Sequence, residues 1–220
     1  DRGIFLIDQH GGHDAPRDEV GGIGAPVVGV EKIEQGEECL RALRAVEEAA
    51  GVRVSALISA EIGGANALEP VIAAAQAGLP VVDGDGMGRA FPEVQMTTFM
   101  IYGAKAAPAA IADDKGNVVV FREVVDMFWL ERFARDTSVA MGAAAGLAIA
   151  PMPADFVRRV SVPGTVSQAL SIGRAILVLA IPMVLVPLVL AFPEKRWDFL
   201  PIALLCTLGF GLIGFADDYI

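Results

Sequence analysis

A chain of 220 residues with a net charge of −10 is long enough for one or two domains, and its acidity excludes a nucleic-acid partner, because phosphate binding needs clustered Lys and Arg. Its 54% hydrophobic content is unevenly spread: after Arg174 only two basic and four acidic residues remain, so the chain changes solvent there. The two cysteines, Cys39 in a predicted helix and Cys206 in an apolar run, are too few and too differently placed for a disulfide framework, which favours a reducing compartment.

The chain opens on Asp1-Arg2-Gly3 with neither an initiator Met nor a secretory signal, and reads as a trimmed or partial sequence. Short β-branched runs then alternate with alanine-rich helical patterns, the signature of an α/β fold: a layered, largely parallel sheet with flanking helices. Ile4 to Ile7 and Pro26 to Val30 read as strands. Gly36 to Ala50 reads as a helix with Leu40, Leu43 and Val46 on one face and Glu37, Glu38, Glu47 and Glu48 exposed. A buried strand at Ala56 to Ser59 leads through Glu61-Ile62-Gly63-Gly64-Ala65-Asn66 into a helix from Leu68 to Ala77 that stops at Gly78. A strand starting at Pro80 feeds the segment Asp83 to Glu93, and Ala109 to Ala112 with Val118 to Phe121 form a hairpin. Val125 to Met141 reads as an amphipathic helix carrying Trp129, Glu131, Arg132 and Arg135.

Ala175 to Phe192 and Phe199 to Ala216 are uncharged runs close to the ~20 apolar residues a membrane-crossing helix requires. The link Pro193 to Asp198 holds a tryptophan, so the pair reads as a transmembrane helical hairpin over 175–220, attached to an α/β domain over 1–174. Arg158, Arg159 and Arg174 before the first span, against Lys195 and Arg196 in the link, place the soluble part in the cytoplasm, next to the membrane.

Two loops are expected to leave strand carboxyl ends, the edge at which open α/β sheets bind ligands. In the second, Asp83, Asp85, Arg89 and Glu93 gather charge of both signs around Gly86 and Gly88, where the backbone admits close approach of a small-molecule substrate. Asp83 and Asp85, two apart in an extended segment, share a side and suit acid–base work or a divalent metal. In the first, Gly63, Gly64 and Asn66 offer hydrogen bonds to a ligand, with capping by Asn66 as the alternative; Glu61 needs a partner, and Arg89 is the candidate. His10 and His13 lack the spacing of a metal-binding helix and read as a surface loop. Asp217 and Asp218, at the end of an apolar run, suit Mg²⁺ and a phosphate. The residues name no other cofactor and leave the oligomeric state open.

Two resemblances follow. Gly24-Ala25-Pro26 with Glu31-Lys32, Glu61 to Asn66, Asp83 to Glu93, Ala112-Asp113 with Gly116-Asn117, and Gly164-Thr165 through Arg174 resemble the S-methyl-thiohydantoin desulfurase-like family, associated with hydantoinase and oxoprolinase-type enzymes. That resemblance implies a three-layer α/β domain acting on a hydantoin- or thiohydantoin-like ring, followed in full-length members by a mostly β domain, expected to be missing here. Under this reading Asp83, Asp85, Arg89, Glu93 and Glu61 are catalytic, and Gly63, Gly64, Asn66, Gly86 and Gly88 bind substrate. Gly209 to Tyr219 resembles phospho-N-acetylmuramoyl-pentapeptide transferase, which implies Mg²⁺ held by Asp217 and Asp218, and a seam near Arg174. A membrane-anchored binding module without catalysis is the third reading.

Overall fold

The computed structural model describes residues 6–7, 16–25 and 27–191; His10, His13, Cys206, Asp217, Asp218 and the second apolar run lie outside them. A two-residue strand, β1 (Leu6–Ile7), precedes β2 (Arg17–Gly24). The chain then turns through α1 (Val28–Glu31) where a strand over Pro26 to Val30 was expected. The β-branched content suggested extension, but Ala25 N–H closes onto Ala143 C=O and Val28 N–H folds back onto Ala25 C=O, which ends the strand at Gly24.

The next helix, α2 (Glu38–Ala50), buries Cys39, Ala42, Leu43 and Val46 at helical spacing and ends at Gly51, whose positive φ closes its last turn. Glu38 and Glu47, expected on the exposed face, are buried. Glu47 accepts from Val54 N–H at 3.0 Å and pairs with Arg44 and Arg53 at 2.7 and 2.6 Å. Burial alone would raise its pKa; the Val54 amide and the two guanidiniums outweigh that and hold it below the usual carboxylate range. Then follow β3 (Ala56–Ser59), a 3-10 turn at Gly64–Ala67, α3 (Glu69–Ala77) and β4 (Val81–Asp85).

A short helix, α4 (Thr98–Ile101), leads to the hairpin β5 (Ala109–Ala112) and β6 (Val118–Phe121), paired Ala109 with Phe121 through Ala112 with Val118, as expected. Asp113 ties its turn by accepting from the amides of Lys115 and Asn117. The remaining elements are α5 (Met127–Ala140), β7 (Ala144–Ala148), α6 (Ala154–Val160), β8 (Val162–Pro163) and α7 (Thr165–Ala191).

The eight-stranded sheet runs β1-β4-β3-β2-β7-β5-β6, with β8 alongside β4. It is mixed, not largely parallel: β1, β4, β3 and β2 are parallel neighbours, whereas the pairings of β2 with β7, β7 with β5 and β5 with β6 are antiparallel. The physical reason is β7, which returns from α5 in the opposite sense and inserts beside β2. Alternating side chains feed two faces. Val20, Leu57 and Val81 pack under α2 and α3, while Ile23 and Leu147 pack under α5, and Ile58 and Val82 against Phe99 of α4 and Val157 of α6. The result is a three-layer α/β arrangement.

The chain divides into two units, Asp1–Ser167 and Gln168–Ile220, with the division inside α7. The apolar run from Ala175 is therefore not a separate element but the continuation of a helix that begins at Thr165 with polar turns around Ser167, Gln168 and Ser171. Among the described residues no helix is long and apolar enough to cross a membrane, so the expected transmembrane hairpin and membrane association have no support there.

Candidate functional site

The parallel strands end at loops that face one another. β3 pairs with β2 only as far as Val20 with Ser59, whereas β7 follows β2 to Gly24. Beyond Val20 the edge of β2 that faces β3 is thus left without a strand partner, along a segment with glycine at 21, 22 and 24. Asn66 covers part of it: its side-chain oxygen accepts from Gly22 N–H at 2.7 Å, and its Nδ2 donates to Glu61 Oε1 at 2.6 Å. The other Glu61 oxygen accepts from Phe91 N–H at 2.7 Å. Glu61 is only 6% exposed, and these two donors, rather than Arg89, offset its burial. Asn66 does not cap α3, whose flanking residue is Leu68.

The residues of this chain of bonds line two hollows. The smaller, about 350 Å³, reaches from Glu19 and Gly21 to Phe91, Leu147 and Arg135. The larger, about 690 Å³, lies on the side of Lys32, Gly63, Gly64 and Glu69. Lys32 is engaged there, donating to the carbonyls of Met141 and Ala144 and pairing with Asp114 at 2.7 Å.

Glu19 is the residue that sequence reasoning missed. It is 1% exposed, it lines the smaller hollow, and neither carboxyl oxygen has a hydrogen-bond partner among the described residues. Burial pushes its pKa up to about 8, so the group is mostly protonated at neutral pH. The one available signal was local: a carboxylate beside Val20-Gly21-Gly22-Ile23 sits poorly on a solvent-facing turn. The roof is held from α5, where Glu131 accepts from Val94 N–H at 3.1 Å, and Arg135 pairs with Glu131 and donates to Pro92 C=O at 3.1 Å.

The other expected residues are placed differently. Asp83 accepts from Ser167 N–H and Oγ at 2.9 and 2.6 Å, fastening the start of α7. Asp85, fully buried, accepts through one oxygen from the amides of Ile62, Met87 and Gly88 at 3.0, 3.1 and 2.7 Å. The two aspartates therefore do not share a ligand, and neither lines the two hollows. Arg89 is exposed, and Glu93 is exposed at the cleft rim, where it accepts from Gln95 Nε2. Gly63 and Gly86 serve close packing: a Cβ on Gly63 would lie 2.5 Å from Ala90 Cβ, and one on Gly86 would lie 2.7 Å from the Phe99 ring. Gly88 donates its amide to Asp85, while Gly64 stands at the larger hollow. Among the described residues no group of His, Cys, Asp and Glu is arranged to hold a metal ion.

The model of the S-Me-THD-like amino-terminal domain matches residues 12–123, half the chain. The chain belongs to the S-Me-THD-like family. The carboxy-terminal domain model of the same S-Me-THD-like family matches residues 125–180, so the family likeness continues past Arg174. Neither match concerns the transferase expected for the last residues. A crystal structure of a protein from Chromobacterium violaceum is similar to this S-Me-THD-like chain at 26% identity, with a TM-score of 0.72 over 78% of this chain and 49% of that one. The chain thus spans about half the length of that solved relative. No curated protein matches it.

Proposed function

We propose that the cleft between β2 and the Phe91 loop binds a hydantoin- or thiohydantoin-like ring, and that the chain is part of an enzyme acting on that ring. The observation that carries this reading is the end of β2 outlasting β3, which leaves a glycine-lined backbone edge at the floor of a hollow of about 350 Å³. A small flat amide ring needs a narrow slot with a few fixed polar groups, and a volume in the low hundreds of Å³ lies at the small end of ligand pockets. Family membership points to the same ring class.

In this reading the Asn66–Glu61–Phe91 chain holds the slot open, and Arg135 with Pro92 fixes its roof. A protonated carboxyl at the floor supplies a donor to a ring carbonyl, thiocarbonyl or ring nitrogen, the group on which negative charge develops when water adds to the ring carbon. Arg89, exposed on the adjoining loop, is the residue left to orient a substituent.

Calorimetry with the full chain tests the proposal, using hydantoin and S-methyl-thiohydantoin, with a thiol reagent reading any release of methanethiol. Saturable binding with release is expected. Binding without release favours the non-catalytic module, and absence of binding by either ring overturns the reading.

A further inference from the structure

The buried carboxyl group at the floor of the cleft has a chemistry that narrows what the ring site accepts. Glu19 leaves β2 on the same face as Gly21 and Ile23, and it lines the hollow together with them, Leu147 of β7 and Ile149 just beyond that strand, so its neighbours in the lining are largely apolar. Both its oxygens are free of hydrogen-bond partners among the described residues, which is costly in a folded protein unless a ligand completes the bonding. A carboxylic acid presents one O–H donor and one C=O acceptor side by side. The complementary edge is an N–H adjacent to a C=O held cis, as in every small lactam or cyclic ureide.

We propose that the carboxyl group of Glu19 is the specificity-determining element of the cleft, pairing with the adjacent N–H and C=O of an uncharged cyclic amide and turning away ring-opened carboxylates of the same skeleton. This rests on reading the cleft as a ring site. The surrounding charges support it: Glu61 and Glu93 also line the hollow, Arg135 is already paired with Glu131, and Arg17 and Asp18, which precede Glu19 on its own strand, are not in the lining, while β7 contributes no ionisable group to it. A second carboxylate brought in by a ligand would meet Glu61 and Glu93 without an uncommitted cation in the lining, an arrangement disfavoured in a desolvated site. The acid form on which the pairing depends prevails at neutral pH because burial opposes ionisation.

Calorimetry with the full chain separates the outcomes. The probes are 2-imidazolidinone, which keeps the cis N–H and C=O edge and does not ionise near neutrality, and N-carbamoylglycine, the ring-opened acid of hydantoin. Wild type is expected to bind the ring at least about tenfold more tightly than the acid, with ring affinity falling by about tenfold per pH unit above about pH 8. Glu19→Gln, which keeps one donor and one acceptor, is expected to retain ring binding within a few fold and to lose that pH dependence. Glu19→Leu, checked for folding by circular dichroism, should weaken the ring by about tenfold or more. An unchanged pH profile in Glu19→Gln, or equal binding of ring and acid by wild type, overturns the assignment while the ring site stands. Failure of wild type to bind any ring removes both.

Discussion

Asn66 and Glu61 meet at 2.6 Å, amide to carboxylate, and through Gly22 on one side and Phe91 on the other they join a strand end to the loop that roofs the cleft. Replacing Asn66 with Ala removes a donor to a buried charge and an acceptor for a backbone amide. The expected loss is about 1–3 kcal/mol of stability. Urea unfolding at neutral pH measures it, and Asn66→Asp should be worse than Ala because it sets a second carboxylate against Glu61.

Glu19 makes stability depend on pH with a definite sign. Its folded pKa, about 8, lies above its ordinary value of 4.5, so the folded state holds a proton that the unfolded chain releases across that interval. Wild type is therefore most favoured below the ordinary carboxyl range and loses stability as pH rises towards 8, by up to about 1.4 kcal/mol per unit. Glu19→Gln should remove this component. Parallel unfolding curves for the two proteins at pH 5, 7 and 9 would show it as a gap that widens with pH and levels off above 8.

Asp83 fastens Ser167 rather than facing the cleft. Asp83→Ala is expected to cost about 0.5–2 kcal/mol, the range for losing a helix cap. Ring affinity measured by calorimetry should stay at the wild-type value; a variant of normal stability with abolished binding would restore the catalytic role that its neighbourhood suggests.

Gly63→Ala tests how tightly the two loops touch. The added methyl would lie 2.5 Å from Ala90 Cβ and 2.6 Å from its Cα, so backbone must move. A loss of about 1–3 kcal/mol is expected, together with weaker ring binding, because the same displacement shifts the Phe91 amide away from Glu61. Thermal unfolding and calorimetry on one preparation read both effects.

Much of the fold was legible wherever one local rule decided the outcome. The apolar stripe of α2, α3 with its Gly78 stop, and the Asp113 turn all follow from spacing and cap chemistry. β2 and β7 were not legible: Arg-Asp-Glu-Val-Gly-Gly-Ile-Gly and Ala-Ala-Gly-Leu-Ala lack alternation, and they are strands because neighbours on both sides supply the pairing. The loops of the site were visible as charged, glycine-rich segments, and Glu61 and Asn66 do line it. Asp83 and Asp85 do not line either hollow, because they are held by backbone amides and a serine, two of these donors far away in sequence. Glu19 went unseen because its chemistry is made by burial, at which the adjoining Val20-Gly21-Gly22-Ile23 only hints.

The position of β7 has a consequence for dissection of the gene. Residues 144–148 fall in the stretch matched by the carboxy-terminal family model, yet they pair with β2 and β5, which fall in the stretch matched by the amino-terminal one. A clone ending at residue 123 would lack the slat between two halves of the platform, exposing the flanks of both Gly21–Gly24 and Ala110–Ala112 to solvent and to each other. The border between the two family models runs through a single hydrogen-bonded platform, so it is not a border of the folded body.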